Sequence, residues 1–446
     1  MSHRSNRRIA FTTLGCKVNQ ADTDQWVSEL LDLGYEIVDF DRPADAYVVN
    51  TCTVTHVADR KSRQILRRAR RQSPSALVVA TGCYASVAPA ELARMAEIDL
   101  VVGGPDKDML AKRIHDALEG EDEQSVETSV GGIRPMGART RAFIKISDGC
   151  NKFCTFCIVP YARGRERSVP ADSVVESVRR ACAEGYREAV LTAVHMGTYG
   201  RDLQPRSSLR ELVKRILTET EIERLRLSSI EPEDFDLTML ELWSDRRLCR
   251  HFHLAIDSGC DATLQRMRRR YTYGQFRDLV GDIRTLVPDA AITSDVMVGF
   301  PGETELEFEE SFSNIDDLAF AGSHVFPYSR RRGTAASHFK NEVDPETKSR
   351  RGKLMIALAE RNARRFQQRF AGAEMPVLYE AAVGSIQEGN DRVLRWEGLT
   401  DNYLRVTTPS ARPLVNQLEQ TLLHLDEGGL SGALIEPAVA SSGSRQ

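Results

Sequence analysis

The sequence predicts an α/β protein with three parts: an N-terminal domain on a parallel sheet, a partial β/α barrel of the TIM type, and a small C-terminal β-barrel. Three observations carry that expectation. From Arg8 to Asp116 short β-branched or apolar runs alternate with helical patterns, as parallel strands with crossover helices do. From Ala142 the alternation resumes through six further strand-like runs, enough for a barrel or part of one. After Ala371 helical patterns give way to short strands and turns, as in small β-barrels.

In the first part, RIAFTTLG, YEIVDF, DAYVVNT, ALVVATG and DLVVGG are expected strands, and ADTDQWVSELLDLG is a helix ended by Gly34. Glu119 to Thr140 is rich in acid, Gly, Ser and Pro without periodicity, the composition of a linker. The six runs that follow are AFIKIS, EAVLTAV, RLRLSSI, HFHLAID, AAITSDVMVGF and HVFPY. The last part offers MPVLYEAAV, RVLRWEGLT, YLRVTT and GALIEPAV as strands, and SSGSRQ as a disordered tail. The domains are therefore expected at 1–120, 141–370 and 371–440, with the linker at 121–140.

Composition excludes some classes. With 446 residues, 41% hydrophobic and 28% charged, the chain resembles an ordinary soluble protein of several domains. No apolar run is long enough to span a bilayer, and MSHRSNRRIAF lacks the apolar stretch of a signal peptide. No membrane association and a cytoplasmic location are expected. Thiols stay reduced there, so nine cysteines point to metal ligation more than to disulfides. The net charge of −4 requires any nucleic-acid partner to be held by local basic patches.

The cysteines fall at chemically informative places. Cys150, Cys154 and Cys157 form a C-x3-C-x2-C loop directly after the first barrel strand, on the edge where β/α barrels gather their chemistry. A closed zinc or ferredoxin-type site needs a fourth ligand nearby, and none follows. Another segment supplies it, or the site is open. In the first domain Cys16, Cys52 and Cys83 each follow a strand, 36 and then 31 residues apart. Strands of one parallel sheet end at one edge, so these thiols can converge and form a second three-cysteine site. Cys182, Cys249 and Cys260 read as small buried apolar residues.

With Phe156 before the last cysteine, the C-x3-C-x2-C loop resembles the signature of radical S-adenosylmethionine enzymes. The order of TLGCKVNQ, NTCTVTHVADRKSRQ, TGCYA, CTFCIVPYARGRERS, RLSSIEPED, RMRRRYT, VGFPGET and EGLTDNYLRV is similar to the methylthiotransferase branch, over nearly the whole chain. GCKVNQ and VADRKSRQ look like the subgroup acting on N6-threonylcarbamoyladenosine beside the tRNA anticodon.

The resemblance implies two 4Fe-4S clusters, each on three cysteines, with S-adenosylmethionine as the missing ligand of the iron in the Cys150, Cys154 and Cys157 site. One S-adenosylmethionine supplies a methyl group to sulfur at the Cys16, Cys52 and Cys83 site. A second gives a 5′-deoxyadenosyl radical that removes hydrogen from C2 of the adenine. The last domain is implied to be a TRAM barrel. Phe156, Glu231, Asp257, Val298 and Gly299 are placed by resemblance around the cosubstrate. Asp257 stands where the family usually has Gln and brings a negative charge there, and Ala193 stands where Thr-Gly is usual. An electron donor such as flavodoxin or ferredoxin is implied as a partner, beside the anticodon stem-loop of tRNA.

For RNA contact the helix ADRKSRQILRRARRQ groups Ala58, Ser62, Ile65 and Ala69 on one face and leaves Arg60, Arg63, Arg67, Arg68 and Arg71 outside it. With Arg163, Arg165 and Arg269 at barrel loops, these arginines form an expected phosphate-binding rim. From Ala371 onward ten acidic residues face five arginines and no lysine. That domain is expected to add only a few RNA contacts, through Trp396, Tyr403 and Arg405. Two other readings stay open: a methylthiotransferase acting on another tRNA adenosine or a ribosomal-protein side chain, and a metal-stabilised RNA-binding protein without catalysis.

Overall fold

The computed structural model describes residues 7–119, 140–388 and 391–435. The expected linker, apart from Thr140, and the tail SSGSRQ lie outside them.

The first domain runs β1 (Arg8–Thr13), α1 (Lys17–Asp32), β2 (Glu36–Val38), β3 (Ala46–Thr51), α2 (His56–Gln72), β4 (Leu77–Gly82), α3 (Cys83–Val87), α4 (Pro89–Leu92), β5 (Leu100–Val102) and α5 (Leu110–Glu119). Its strands form one parallel sheet in the order β2-β1-β3-β4-β5. Ile9 and Phe11 point to one face and pack with Trp26, Leu30, Leu110 and Ile114. Ala10 points to the other, with Tyr47, Leu66 and Ala69. Helices cover both faces, which is why the strands read as continuous apolar runs.

Two local expectations need correction. Helix α1 starts at Lys17, four residues before the run expected from Ala21, because the extended Cys16 is its N-cap. The buried face of α2 is Asp59, Ser62, Leu66 and Ala69, with Ala58 and Ile65 only half-buried. Asp59 goes inside because Arg331 of the second domain meets it at 2.7 Å.

The second domain runs β6 (Arg141–Lys145), β7 (Ser147–Asp148), α6 (Val159–Arg163), β8 (Arg167–Ser168), α7 (Ala171–Ala183), β9 (Glu188–Thr192), α8 (Leu209–Glu219), β10 (Arg224–Leu227), β11 (His251–His253), α9 (Asp261–Met267), α10 (Tyr273–Leu286), β12 (Ala291–Val298), α11 (Glu305–Leu318), β13 (Gly322–Pro327) and α12 (Pro345–Gln368). The six expected strands form two parallel sheets, β10-β9-β6 and β11-β12-β13. The bridges Leu225 to Leu248 and Ser229 to His253 join them. Among the described residues nothing pairs β6 with β13, so the barrel is open on that side. Val178, Leu212, Ile216, Phe276, Ile283 and Phe308 pack the helices against the strands. The short antiparallel pair of β7 and β8 clasps the Cys150 loop.

The third domain is a closed barrel, β14 (Glu374–Glu388), β15 (Asp391–Thr400), β16 (Arg405–Ser410), β17 (Leu418–Asp426) and β18 (Gly429–Leu434), in the order β14-β15-β16-β18-β17. It has five strands where the sequence suggests four. Leu414, Leu418, Leu422 and Leu425 are spaced like a helical stripe, which hides β17. The barrel is bolted to the second domain. Arg224 donates to the carbonyls of Leu399 at 2.8 Å and Thr400 at 2.7 Å, and Arg250 pairs with Asp401 at 2.6 Å. Tyr403 stacks on His251 with ring centroids 4.1 Å apart, and Trp396 lies in the barrel core. Packing therefore occupies Trp396 and Tyr403, which corrects their expected role toward RNA.

Candidate active site

The first three-cysteine set forms where adjacent strands of the parallel sheet end. Cys16 follows β1, Cys52 follows β3, and Cys83 opens α3 directly after β4. Gly15 has φ of 101°, and a Cβ there would lie 3.0 Å from Cβ and 3.1 Å from Sγ of Cys52; only glycine lets the Cys16 turn come this close. Cys83 is close enough to Cys16 and Cys52 for their charges to raise its pKa further, although burial is the larger cause of its rise to about 11. Asn19, which nothing in the sequence singled out, ties the set together. Its Nδ2 donates to the carbonyls of Leu14 at 2.7 Å and Thr51 at 3.1 Å, and Cys83 Sγ lies 3.7 Å from its Oδ1.

The second set is the loop after β7. Gly149, with φ of 76°, precedes Cys150, and a Cβ there would lie 2.1 Å from the Arg165 carbonyl oxygen. The loop is pinned from outside: Thr155 N–H donates to the Met267 carbonyl at 3.0 Å, and Ala336 N–H donates to the Thr155 carbonyl at 2.8 Å. Burial raises the Cys154 thiol and pushes Cys157 up to about 12. Neutral thiols are thus favoured until a cationic group binds, as at metal sites.

Among the described residues no three His, Cys, Asp or Glu side chains converge as ligands of a single metal ion do. Three thiols that each take a different iron of a cubane need no such convergence, and the donor set is all sulfur. Both triads fit an iron-sulfur cluster better than a closed zinc site.

A buried ion network joins the two sets. Arg163, on α6 just after the cysteine loop, pairs with Asp22 of α1 at 2.8 Å and Asp148 at 2.9 Å, and also donates to Asn19. Lys145 meets Asp22 at 2.5 Å, and Lys107 pairs with Asp148. Burial opposes ionisation of both aspartates, but these cations outweigh it and hold their pKa values low.

Beside Cys150 lies a cavity of about 340 Å³ lined by Asn151, Lys152, Glu166, His195, Thr198, Arg201, Asp202 and Arg270. His195 was not foreseen; it follows β9, at a strand end where barrel chemistry collects. It bonds Asp234 at 3.1 Å and Thr198 at 3.1 Å. Burial disfavours its charge, yet the bonds to Asp234 and to Cys150 raise its pKa to about 10. Glu231 Oε2 lies 3.4 Å from His195 Nε2 but makes no hydrogen bond, and burial pushes its pKa up to about 7. A buried carboxylate oxygen without a hydrogen bond has room to accept one from an ammonium or hydroxyl group, which fits S-adenosylmethionine.

The other residues expected around the cosubstrate are arranged as follows. Phe156 packs edge-on against Phe300, centroids 6.4 Å apart. Val298 is a core side chain, and Gly299 N–H donates to Glu303 at 2.6 Å. The extra charge of Asp257 is neutralised: Arg269 pairs with it at 2.6 Å, and burial raises its pKa. Ala193 is buried at the end of β9.

The expected phosphate rim needs revision. Arg163 and Arg269 are buried, the first in the ion network and the second between Asp257 and Cys154 Sγ at 3.5 Å. Neither faces solvent, because each neutralises buried carboxylates. Arg63, Arg67 and Arg68 pair with Glu91, Glu97 and Asp41, and Arg405 pairs with Glu397. Arg60 and Arg165 remain exposed, with Arg165 4.8 Å above the Phe153 ring.

Comparison with known proteins agrees with this geometry. Residues 8–103 match the family described as "Uncharacterized protein family UPF0004", and residues 144–315 match the radical SAM superfamily. The chain is 38% identical over 421 residues to the threonylcarbamoyladenosine tRNA methylthiotransferase MtaB of Bacillus subtilis (strain 168), covering 92% of each. It is 39% identical to the MtaB of Aquifex aeolicus (strain VF5), covering 83% of this chain and 92% of that one. The tRNA-2-methylthio-N(6)-dimethylallyladenosine synthase of Syntrophotalea carbinolica is 32% identical, with 88% and 94% covered. Among solved structures the radical S-adenosylmethionine methyltransferase TsrM of Kitasatospora setae superposes with a TM-score of 0.55 at 18% identity, covering 85% and 79%, a likeness of fold alone. These matches establish that the chain belongs to the radical S-adenosylmethionine methylthiotransferases.

Proposed function

We propose that this enzyme adds a methylthio group to C2 of N6-threonylcarbamoyladenosine beside the anticodon of tRNA. It works with two 4Fe-4S clusters, one on Cys16, Cys52 and Cys83 and one on Cys150, Cys154 and Cys157, and with two molecules of S-adenosylmethionine. The observation that carries this reading is the contact between the sets: Arg163, from the loop of one, is hydrogen-bonded to the α1 helix that opens at Cys16 of the other. Two separately folded thiol triads braced to each other suit a reaction that must bring sulfur and a radical to one carbon.

When bound, the clusters and S-adenosylmethionine supply low-potential electrons, a methyl group and sulfur; the chain supplies the geometry. Glu231 offers the cosubstrate an oxygen that accepts no hydrogen bond within the protein, while His195 and Asp234 hold that carboxylate's surroundings fixed. The Asp257–Arg269 pair keeps the cosubstrate end of the barrel free of net charge. Cys52 and Cys83 are buried and the Cys150, Cys154 and Cys157 loop is half-buried, which limits the access of water to a radical that it would quench. A flavodoxin or ferredoxin is the electron donor in this reading. The exposed Arg60, Arg71 and Arg165 contact tRNA phosphates, and the tRNA substrate places the work in the cytoplasm.

For the substrate, the reading is supported by four relatives named for threonylcarbamoyladenosine at 35–39% identity and a fifth at 30%, against 30–32% for those named for dimethylallyladenosine. Mass spectrometry of tRNA nucleosides from cells lacking the gene tests it. Loss of the 2-methylthio form of N6-threonylcarbamoyladenosine, with the parent nucleoside retained, is the expected result. Loss of another methylthio nucleoside, or of a methylthio group on a ribosomal protein, overturns it.

A further inference from the structure

We propose that Lys17, at the side opening of the barrel, is a specificity residue that reads a carboxylate on the substituent of the substrate base. The proposal rests on the substrate reading above and assigns it to one side chain.

The opening lies between the unpaired edges of β6 and β13. Helix α1 leans on its β6 side, where Asp22 meets Lys145 at 2.5 Å. Lys17 is the first residue of α1 and follows Cys16. Its ammonium is within electrostatic reach of Arg141 on β6, Glu188 on β9, Arg226 on β10 and Tyr403, and of His324 on β13. Groups on both edges and on the interior strands thus act on one lysine, and the helix it opens packs against the β6 edge of the opening.

Lys17 has no anionic partner there. Glu188 is taken by Arg224 at 2.9 Å and Arg226 at 2.7 Å. Arg141 holds Glu380 at 2.5 Å. Asp295 is shared by His253 and His324, each at 3.3 Å. Among the described residues the Lys17 ammonium makes no hydrogen bond or ion pair, although Asp22, five residues further along α1, has three cationic partners. The first turn of α1 carries no acidic residue, and its cap makes no side-chain bond.

A half-buried ammonium facing two arginines and no free carboxylate is a poor choice for stability. An incoming anion compensates it, and the helix N-terminus adds to the attraction. The neighbouring Cys16 puts that anion beside the sulfur-bearing site, where the acceptor base must lie. A carboxylate-bearing substituent meets this demand, and a hydrocarbon one does not. An RNA phosphate has the same charge, so the test must separate the two.

The test is binding of four anticodon stem-loop hairpins to reconstituted full-length enzyme and its Lys17→Met and Lys17→Arg variants. The hairpins carry N6-threonylcarbamoyladenosine, its neutral threoninamide analogue, N6-isopentenyladenosine or plain adenosine. Iron content and thermal midpoint matching the wild type establish that each variant is folded. The expected result is a wild-type preference of about tenfold or more for the carboxylate hairpin over its amide, lost in Lys17→Met and partly kept in Lys17→Arg. Equal weakening of all four hairpins makes Lys17 a phosphate contact and overturns the proposal, as does an undiminished preference in Lys17→Met. A wild type with no preference for the carboxylate hairpin overturns the substrate reading itself, which is a separate failure.

Discussion

Arg163 Nη2 lies 2.8 Å from Asp22 Oδ2, joining the loop of one cysteine set to the helix that begins at the other. Both side chains are almost wholly buried, 4% and 2% exposed. A salt bridge in that position ties the loop that carries one cysteine set to the helix that follows the first cysteine of the other.

Arg163→Met leaves Asp22 and Asp148 short of a cation and costs on the order of 3 kcal/mol, since breaking a buried pair strands a charge. A lowered thermal midpoint of the apo protein checks this. Methylthio product is expected to fall at least about tenfold while both iron complements are retained, as measured by iron analysis beside product mass spectrometry.

Iron and sulfide content tests the cluster count. About eight irons are expected in the wild type, and about four when Cys150, Cys154 and Cys157 are all changed to Ala or when Cys16, Cys52 and Cys83 are. Four irons in the wild type, falling to none with the first variant, would remove the auxiliary cluster from the mechanism.

Asp257 and Arg269 are expected to behave as a unit. Arg269→Met alone strands a buried carboxylate, and Asp257→Asn alone strands a guanidinium. The double variant should lose less than the sum of the two, with a coupling of about 1–3 kcal/mol. Additive losses in thermal or denaturant unfolding would mean that Arg269 does not answer the family's missing glutamine.

Acid should loosen the joint between the barrel and the last domain. Burial opposes the charge of Glu188, but Arg226 and Arg224 outweigh it and lower its pKa to about 2. A carboxylate depressed in this way stabilises the fold above its unfolded pKa and ceases to do so as pH falls from about 4.5 toward 2. The contribution is on the order of 3 kcal/mol. Thermal midpoints of apo protein between pH 6 and pH 3 should fall steeply for the wild type and less so for Glu188→Gln.

Much of the fold and of the site is legible in the sequence, for physical reasons. Continuous apolar runs such as AYVVNT mark strands covered on both faces, and a cysteine after each of three such strands shares an edge because parallel strands all end on the same side. The C-x3-C-x2-C loop was readable because its ligands are local. The strand β17 was not, since its leucines also fit a helical stripe.

The sequence by itself determined the element order, the six candidate cysteine ligands and the family resemblance, because each depends on spacing along the chain. Tertiary structure alone decided which charges are partners. Asp22 and Arg163 are 141 residues apart, and no local pattern shows that Arg163 and Arg269 turn inward while Arg60 and Arg165 stay outside. It likewise decided that His195 and Asn19 belong to the site and that Lys17 has no partner. Pairing of buried charges depends on which segments meet after folding, where low polarity makes every unmatched charge costly.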